Sequence, residues 1–233
     1  MMLMNILTLD TSTEFLSLAL QFKGQLYVRH LHAGQSHSQR ILPLLRELLD
    51  EAGAGMRDLQ GIAFGAGPGS FTGLRIGCGV AQGLAFGASL PVVGVSTLMA
   101  LAEASGQARV IACLDARMGE VYHAAYERAG SGWKTVMAPG LYKPDAVPAV
   151  DGDGWSGAGS GWAAYGDVLA AQYGQQLGLV LADASPQALA MLRLAEPEFA
   201  AGRGTSAAEA APVYVRNRVA LKTSEREAGQ TFG

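Results

Sequence analysis

The residue types best suited to chemistry sit in short polar or glycine-rich stretches that follow apolar runs. Asp10-Thr11-Ser12-Thr13 follows the apolar residues 3–9. At a tight turn its hydroxyls and backbone amides could cradle a phosphate, with the carboxylate holding a hydrated magnesium ion. The same residues also serve ordinary turns through their own backbone hydrogen bonds. Gly65-Ala66-Gly67-Pro68-Gly69-Ser70-Phe71-Thr72-Gly73 lies between a strand-like and a helix-like stretch, where backbone amides and the helix dipole favour an anion. It is not a P-loop, because the chain has no Gly-Lys-Ser/Thr and so lacks the lysine that reaches the β- and γ-phosphates. Nor is it a dinucleotide fingerprint: Ser70 stands where the third glycine belongs, and Pro68 stiffens the turn. The formal match at Gly152, Gly154 and Gly157 follows no strand pattern. The four histidines, His30, His32, His37 and His123, include no His-x-x-x-His pair, and no Gly-x-Ser-x-Gly elbow occurs. His30 and His32 share a strand face, which reads more readily as a solvated pair than as a metal site.

The elements that place these residues follow from hydrophobic period. Residues 3–9, 15–22 and 25–31 read as three strands joined by tight turns. Ser36 and Gln39 have capping-box spacing and predict a helix that ends at Gly53, kinked or started later by Pro43. Its apolar residues Ile41, Leu42, Leu44, Leu45, Leu48, Leu49 and Ala52 span about 160°, wider than the roughly 100° stripe of a helix facing a single core. Residues 61–64 predict a strand, 72–87 a helix rich in small residues, and 91–95 a parallel strand. In that second helix Gly73, Gly77, Ala81 and Ala85 recur every four residues beside Leu74, Cys78 and Leu84. Each helical glycine costs about 1 kcal/mol relative to alanine, so this ridge implies a close approach, either of another helix or of the chain's own sheet. The pattern then restarts: residues 110–114 run into Asp115, residues 120–126 form the next strand, and Gly157-Ala158-Gly159 echoes Gly65-Ala66-Gly67. Two related α/β halves result, 1–107 and 108–233, the second smaller and more irregular. Residues 133–154 read as irregular connection, 162–173 and 186–200 as helices, and the tail from Thr223 as frayed.

Composition narrows the function classes. The chain has 233 residues, 49% of them hydrophobic, 31 glycines and only 16% charged, which excludes disorder and permits one large domain or two small ones. With 17 Lys and Arg against 20 Asp and Glu, the net charge of −3 supplies no general basic surface for autonomous nucleic-acid binding. Cys78 and Cys113 lie in apolar runs and form no C-x-x-C pair, which points to a reducing cytosol. The N-terminus has no basic n-region. The charge-free residues 76–102 are interrupted by Gln82, Pro91 and several glycines, so no membrane span is expected. Arg216, Arg218, Lys222 and Arg226 are the only local basic concentration, fitting RNA, an acidic partner or a solvated helix face diluted by Glu225 and Glu227.

Asp10-Thr11-Ser12-Thr13, His37-Ser38-Gln39 with Leu42-Pro43, the run from Gly65 to Gly77, Gly94-Val95-Ser96-Thr97-Leu98 and Pro212-x-Tyr214-x-Arg216 together resemble the bacterial TsaB (YeaZ) family. The resemblance covers the first hundred residues closely and residues 127–200 in layout only. It implies the actin-like ATPase (ASKHA) fold, with two ribonuclease-H-like α/β halves of mixed sheets flanked by helices. It also implies a cytoplasmic, non-catalytic partner of TsaD, which transfers threonylcarbamoyl to N6 of adenosine 37 in tRNAs decoding ANN codons. TsaE supplies an ATPase to that assembly, and a separate synthase makes the donor. TsaD-type sequences carry Asn-His-x-x-x-His after the strand equivalent to residues 91–95. Here Ser96, Thr97 and Leu101 stand at those positions, and neither Thr97 nor Leu101 can replace an imidazole ligand.

The resemblance further implies pairing with TsaD, or with a second copy, through the two helices near 37–52 and 72–87. By helical phase the expected interface is Leu42, Leu45, Leu49, Leu74, Gly77 and Ala81. Asp10, Thr11, Ser12, Gly157 and Gly159 are then a vestigial nucleotide cleft, with no catalytic residue, metal or cofactor, and tRNA is met only through the complex. The alternative is an ATP-using enzyme resembling sugar or acetate kinases, with Asp10 beside the nucleotide. A glycopeptidase-like hydrolase ranks lower, lacking any nucleophile and base constellation.

Overall fold

The computed structural model describes residues 4–216. In the first lobe β1 (Ile6–Asp10), β2 (Phe15–Phe22) and β3 (Gln25–His32) form an antiparallel meander. On its other edge β1 pairs in parallel with β4 (Gly61–Gly67), and β4 with β5 (Val92–Ser96), giving the order β3-β2-β1-β4-β5. The second lobe repeats this arrangement with β6 (Arg109–Arg117), β7 (Glu120–Ala129), β8 (Gly132–Tyr142), β9 (Trp155–Ala158) and β10 (Leu177–Leu181), in the order β10-β9-β6-β7-β8. The loose internal repeat is thus one sheet topology used twice, and the chain has the actin-like, two-lobed fold of mixed sheets flanked by helices.

The helices are α1 (His37–Ala52), α2 (Phe71–Ala88), α3 (Thr97–Ser105), α4 (Ser160–Tyr173) and α5 (Ala188–Ala200). β1 is buried throughout because its sheet is covered on both faces. Leu7, Leu9, Leu16, Leu18 and Leu20 meet α1 and α2, while Ile6, Ala63, Val93 and Val95 meet Met191, Ala195 and Phe199 of α5. In the second lobe α4 covers Ile111, Cys113, Val121 and Ala125, and α3 covers Val110, Ala112, Leu114 and Ala124. The lobes therefore exchange helices: α3 leaves the first sheet to pack on the second, α5 returns from the second to the first, and the two pack on each other. Ala188, at the start of α5, is fixed on the first sheet by its amide to Ser17 Oγ (2.9 Å) and its carbonyl from Thr8 Oγ1 (2.8 Å). Glu103 of α3, nearly buried, accepts from Arg128 (2.7 Å) and Trp133 (2.8 Å) and lies 3.6 Å from Arg193 of α5.

Three local expectations need correction. Ser36 makes no side-chain cap; its Oγ donates to the Ala33 carbonyl instead (2.6 Å). α1 begins at His37 and runs through Pro43 to Gly53, whose φ of 61° ends it in the left-handed region. Residues 133–142, part of the 133–154 stretch expected to be irregular, belong to the eleven-residue strand β8. As an edge strand bonded only to β7, with bulges in the register, it tolerates Pro139 and Gly140. The basic residues beyond Arg216 and the tail from Thr223 lie outside the described residues.

Candidate functional site

The turn after β1 does not form an open phosphate cradle. Asp10, Thr11 and Ser12 are at most 2% exposed, because the glycine-rich turn before α2 packs directly onto them. The Ser70 amide donates to the Ser12 carbonyl (2.7 Å), and Thr11 Oγ1 donates to the Gly73 carbonyl (2.7 Å). A Cβ at Gly69 or Gly73 would overlap the Ser12 or Thr11 carbonyl, so these glycines serve the approach of two backbones rather than an anion. Ser12 Oγ donates to Asp10 Oδ2 (2.9 Å), while Oδ1 is buried without a partner against Gly65. Burial outweighs the hydrogen bonds and pushes the Asp10 carboxyl up to about 7. The matching turn in the second lobe is closed too: Gly157 lies under the Trp162 ring, and Gly159 against Leu101 and the Cys113 carbonyl.

The positions that carry histidines in TsaD-type sequences serve packing here. Thr97 is fully buried with its hydroxyl donating to the Pro68 carbonyl, and Leu101 is fully buried in the core around α3. Among the described residues, no three or more His, Cys, Asp or Glu side chains are grouped to hold a metal. His37 is buried, its Nε2 donating to the Phe15 carbonyl (3.2 Å). His123 is fully buried under α4. Tyr173 Oη donates to the Pro148 carbonyl (3.1 Å) and accepts from His123 Nε2 (2.7 Å), leaving Nδ1 without a partner. Burial pushes this imidazole down to about 4 and keeps it neutral.

The outer surface of α1 and α2 is different in kind. Of the six expected interface residues only Leu42 is exposed, at 52%. Leu45, Leu49, Leu74, Gly77 and Ala81 are buried in the chain's own core, so as an exposed docking surface they are corrected by the fold, although Leu45 and Leu49 still border the larger of two grooves on the helix pair. A Cβ on Gly77 would lie 2.7 Å from Thr11 Oγ1, which shows what that ridge is for. About 200° round the same helix runs a second ridge, Gly79, Gly83 and Gly87, offset by two residues. All three are exposed, and a Cβ on any of them would meet nothing within 4 Å among the described residues. Beside this ridge an apolar groove of about 480 Å³ lies between the helices, walled by Ile41, Leu42, Ile76, Val80 and Leu84, with Ser38 and Arg75 also lining it. Leu42 and Leu84 separate it from an adjoining groove of about 720 Å³ reaching Pro43, Arg46 and Met56. Phe86, 81% exposed, stands near the end of α2. The second ridge was present in the sequence at the same four-residue spacing, but helical phase alone does not say which ridge faces the sheet.

This is a two-lobed actin-like chain whose phosphate-type turns are packed shut and whose first-lobe helices present a bare apolar surface. Residues 31–218 match the family model described as "TsaD: tRNA N6-adenosine threonylcarbamoyltransferase". The tRNA threonylcarbamoyladenosine biosynthesis protein TsaB of Escherichia coli is 43% identical over 94% of this chain and 97% of its own length. That of Haemophilus influenzae is 39% identical over 94% and 96%. The solved structure of YeaZ from Pseudomonas aeruginosa superposes with a TM-score of 0.84 at 40% identity, covering 91% of this chain and 99% of that one. The chain belongs to the TsaB family. No helix among the described residues is long and apolar enough to cross a membrane.

Proposed function

We propose that this chain is a non-catalytic subunit in the biosynthesis of tRNA threonylcarbamoyladenosine, docking onto TsaD through the outer faces of α1 and α2. In the absence of TsaD the same surface pairs with a second copy; TsaE joins the assembly, and tRNA is contacted only through the complex. The observation that carries this reading is the ridge of Gly79, Gly83 and Gly87 beside the apolar groove. Helical glycines that touch nothing among the described residues cost about 1 kcal/mol each. A helix brought against them from outside gains close backbone approach and covers Leu42, Ile76, Val80 and Leu84. The packing roles of Thr97 and Leu101 and the closed turn over Asp10 support the non-catalytic part.

The test is to mix the protein with its cognate TsaD and measure the assembly mass by light scattering. A mixed complex lost in Leu42→Arg is expected; a complex unaffected by Leu42→Arg sinks this surface. An ATP-using enzyme would need the Asp10 turn open. Calorimetry showing ATP binding abolished by Asp10→Ala would favour that reading instead.

A further inference from the structure

The segment after α5 crosses from the first lobe to the second. Gln82 Nε2 donates to the Ala210 carbonyl (2.8 Å), and the Val213 amide donates to the Ala66 carbonyl (2.7 Å). Tyr214 Oη accepts from Arg75 Nε (3.0 Å), and the Arg75 guanidinium lies 3.7 Å from the centroid of the Phe71 ring. Two residues on, the chain is in the second lobe. Arg216 Nη2 donates to the Ala116 carbonyl (3.0 Å) and to Glu120 Oε2 (2.8 Å), with the Arg216 side chain only 10% exposed. These partners hold the turn between β6 and β7, where Arg117, Met118 and Gly119 all have positive φ, at 62°, 58° and 72°. Two non-glycine residues in that region are costly to hold without outside support, and Arg216 supplies it by capping the turn's carbonyls. Pro212, Tyr214 and Arg216, grouped by sequence pattern, are thus the parts of a strap anchored at both ends.

Arg75 belongs to two structures at once. It grips Tyr214, and it lines the apolar groove between α1 and α2. Among the described residues it has no carboxylate partner; its guanidinium engages Phe71 and Tyr214. We propose that residues 212–216 are a latch between the lobes whose catch on the first lobe is Arg75, so that a partner seated in the groove and engaging Arg75 loosens the turn between β6 and β7. The coupling rests on the docking surface proposed above, whereas the latch stands on the contacts just described. A guanidinium that turns toward a partner's carboxylate gives up Tyr214. The strap then loses the first-lobe contact nearest Arg216, while Val213 stays bonded to Ala66, and the freedom regained at residues 214 and 215 weakens the grip of Arg216 on the second lobe. Linkage makes the effect reciprocal: a strap cut at Arg216 leaves Arg75 freer for the partner.

Amide hydrogen exchange on the full chain, followed in peptides covering residues 115–121, tests both parts. Arg75→Ala should speed exchange there by roughly tenfold, the scale of losing a hydrogen bond to a charged group, although Arg75 touches no residue of that turn. Tyr214→Phe keeps the ring packing, removes one hydrogen bond and should give a smaller increase in the same peptides. Exchange unchanged in both variants, with native circular dichroism, overturns the latch. Saturating cognate TsaD should then speed exchange of these peptides in the wild type and have no further effect in Arg216→Ala. Protection of α1 and α2 by TsaD with no change at 115–121 overturns the coupling while docking stands. If TsaD does not bind, the docking surface falls and the coupling with it, and the latch is judged by Arg75→Ala alone.

Discussion

The two glycine ridges of α2 predict opposite responses to the same small change. Gly79 and Gly83 are exposed, helical and, among the described residues, free of any neighbour within 4 Å of an added Cβ. Replacing each with alanine removes backbone freedom from the unfolded chain and should stabilise the fold by about 0.5–1 kcal/mol per site. With no neighbours to share, the two should add to between about 1 and 2 kcal/mol. For 233 residues, at an unfolding entropy of about 2.1 cal/mol/K per residue, that raises Tm by roughly 2–4 °C. Gly77→Ala should do the reverse, because its Cβ would press on Thr11 Oγ1 at 2.7 Å, costing about 1–3 kcal/mol through overpacking. Gly83→Leu carries the functional half: it should fold at least as well as the wild type, yet lose at least tenfold in affinity for TsaD, about 1.4 kcal/mol. Calorimetry should be run dilute enough to keep the chain monomeric, since self-association would itself raise Tm. Destabilisation by the alanine pair, or undiminished TsaD binding by Gly83→Leu, refutes the assignment of the outer ridge to docking.

Two buried titratable groups predict opposite pH dependences. Folded Asp10 keeps its proton to about pH 7, against 3.8 for an ordinary carboxyl. The folded state therefore binds more protons between those values, and its stability falls as pH rises, by about 4 kcal/mol across the window. Asp10→Asn removes this, so denaturant unfolding at pH 4 and pH 8 should show the variant gaining on the wild type by about that amount; a gap independent of pH refutes the burial argument. Folded His123 stays neutral down to about 4 rather than 6.5, so the unfolded state binds more protons there and stability falls on acidification by roughly 3 kcal/mol. His123→Gln keeps a donor for Tyr173 and should lose that acid-side fall relative to the wild type; equal slopes would place the histidine in water. Leu45→Arg, at a residue 4% exposed, should abolish folding through a buried unpaired charge. Leu42→Arg should change stability by no more than about 0.5 kcal/mol. Circular dichroism melts separate the pair, and similar melts would mean the inward turn of Leu45 is misassigned.

Much of the architecture was legible because it depends on local period. β2 follows the apolar alternation of residues 15–22, and Gly53 ends α1 where the apolar arc ends. The repeat showed in Asp10 and Asp115, each near the end of its lobe's first strand. α3 was missed because Ser96 both ends β5 and caps the helix, leaving no turn to mark the boundary. β8 was missed because its proline and glycines carry loop chemistry, which only its edge position in the sheet makes compatible with a strand. The site was less legible for a related reason. Whether a turn is open or shut, and which ridge of α2 faces inward, depends on residues far apart in the chain: Thr11 meets Gly73 across 62 positions.

The duplicated sheets also explain why docking should belong to one lobe alone. In the first lobe the connection between the third and fourth strands contains α1, which joins α2 over one face of the sheet; their inner sides bury leucines and small residues, leaving outer sides to spare. In the second lobe the matching connection has a short turn at Pro144–Ala146, and among the described residues α4 is the one helix on that face. On that face Val147 and Val150 of the connection and Trp155 of β9 pack with Trp162 and Tyr173 of α4, and His123 bonds Tyr173. With a single helix there among the described residues, that face offers no groove between two helices. The long helical pair gives the first lobe that groove, at the cost of glycines on α2 that no contact among the described residues offsets. If the outer ridge had been filled by alanines, the first lobe would be the more stable of the two designs and the less able to bind. On the docking proposed above these glycines serve a partner, which makes substitution at Gly79 and Gly83 more informative about that proposal than substitution at any buried residue of either lobe.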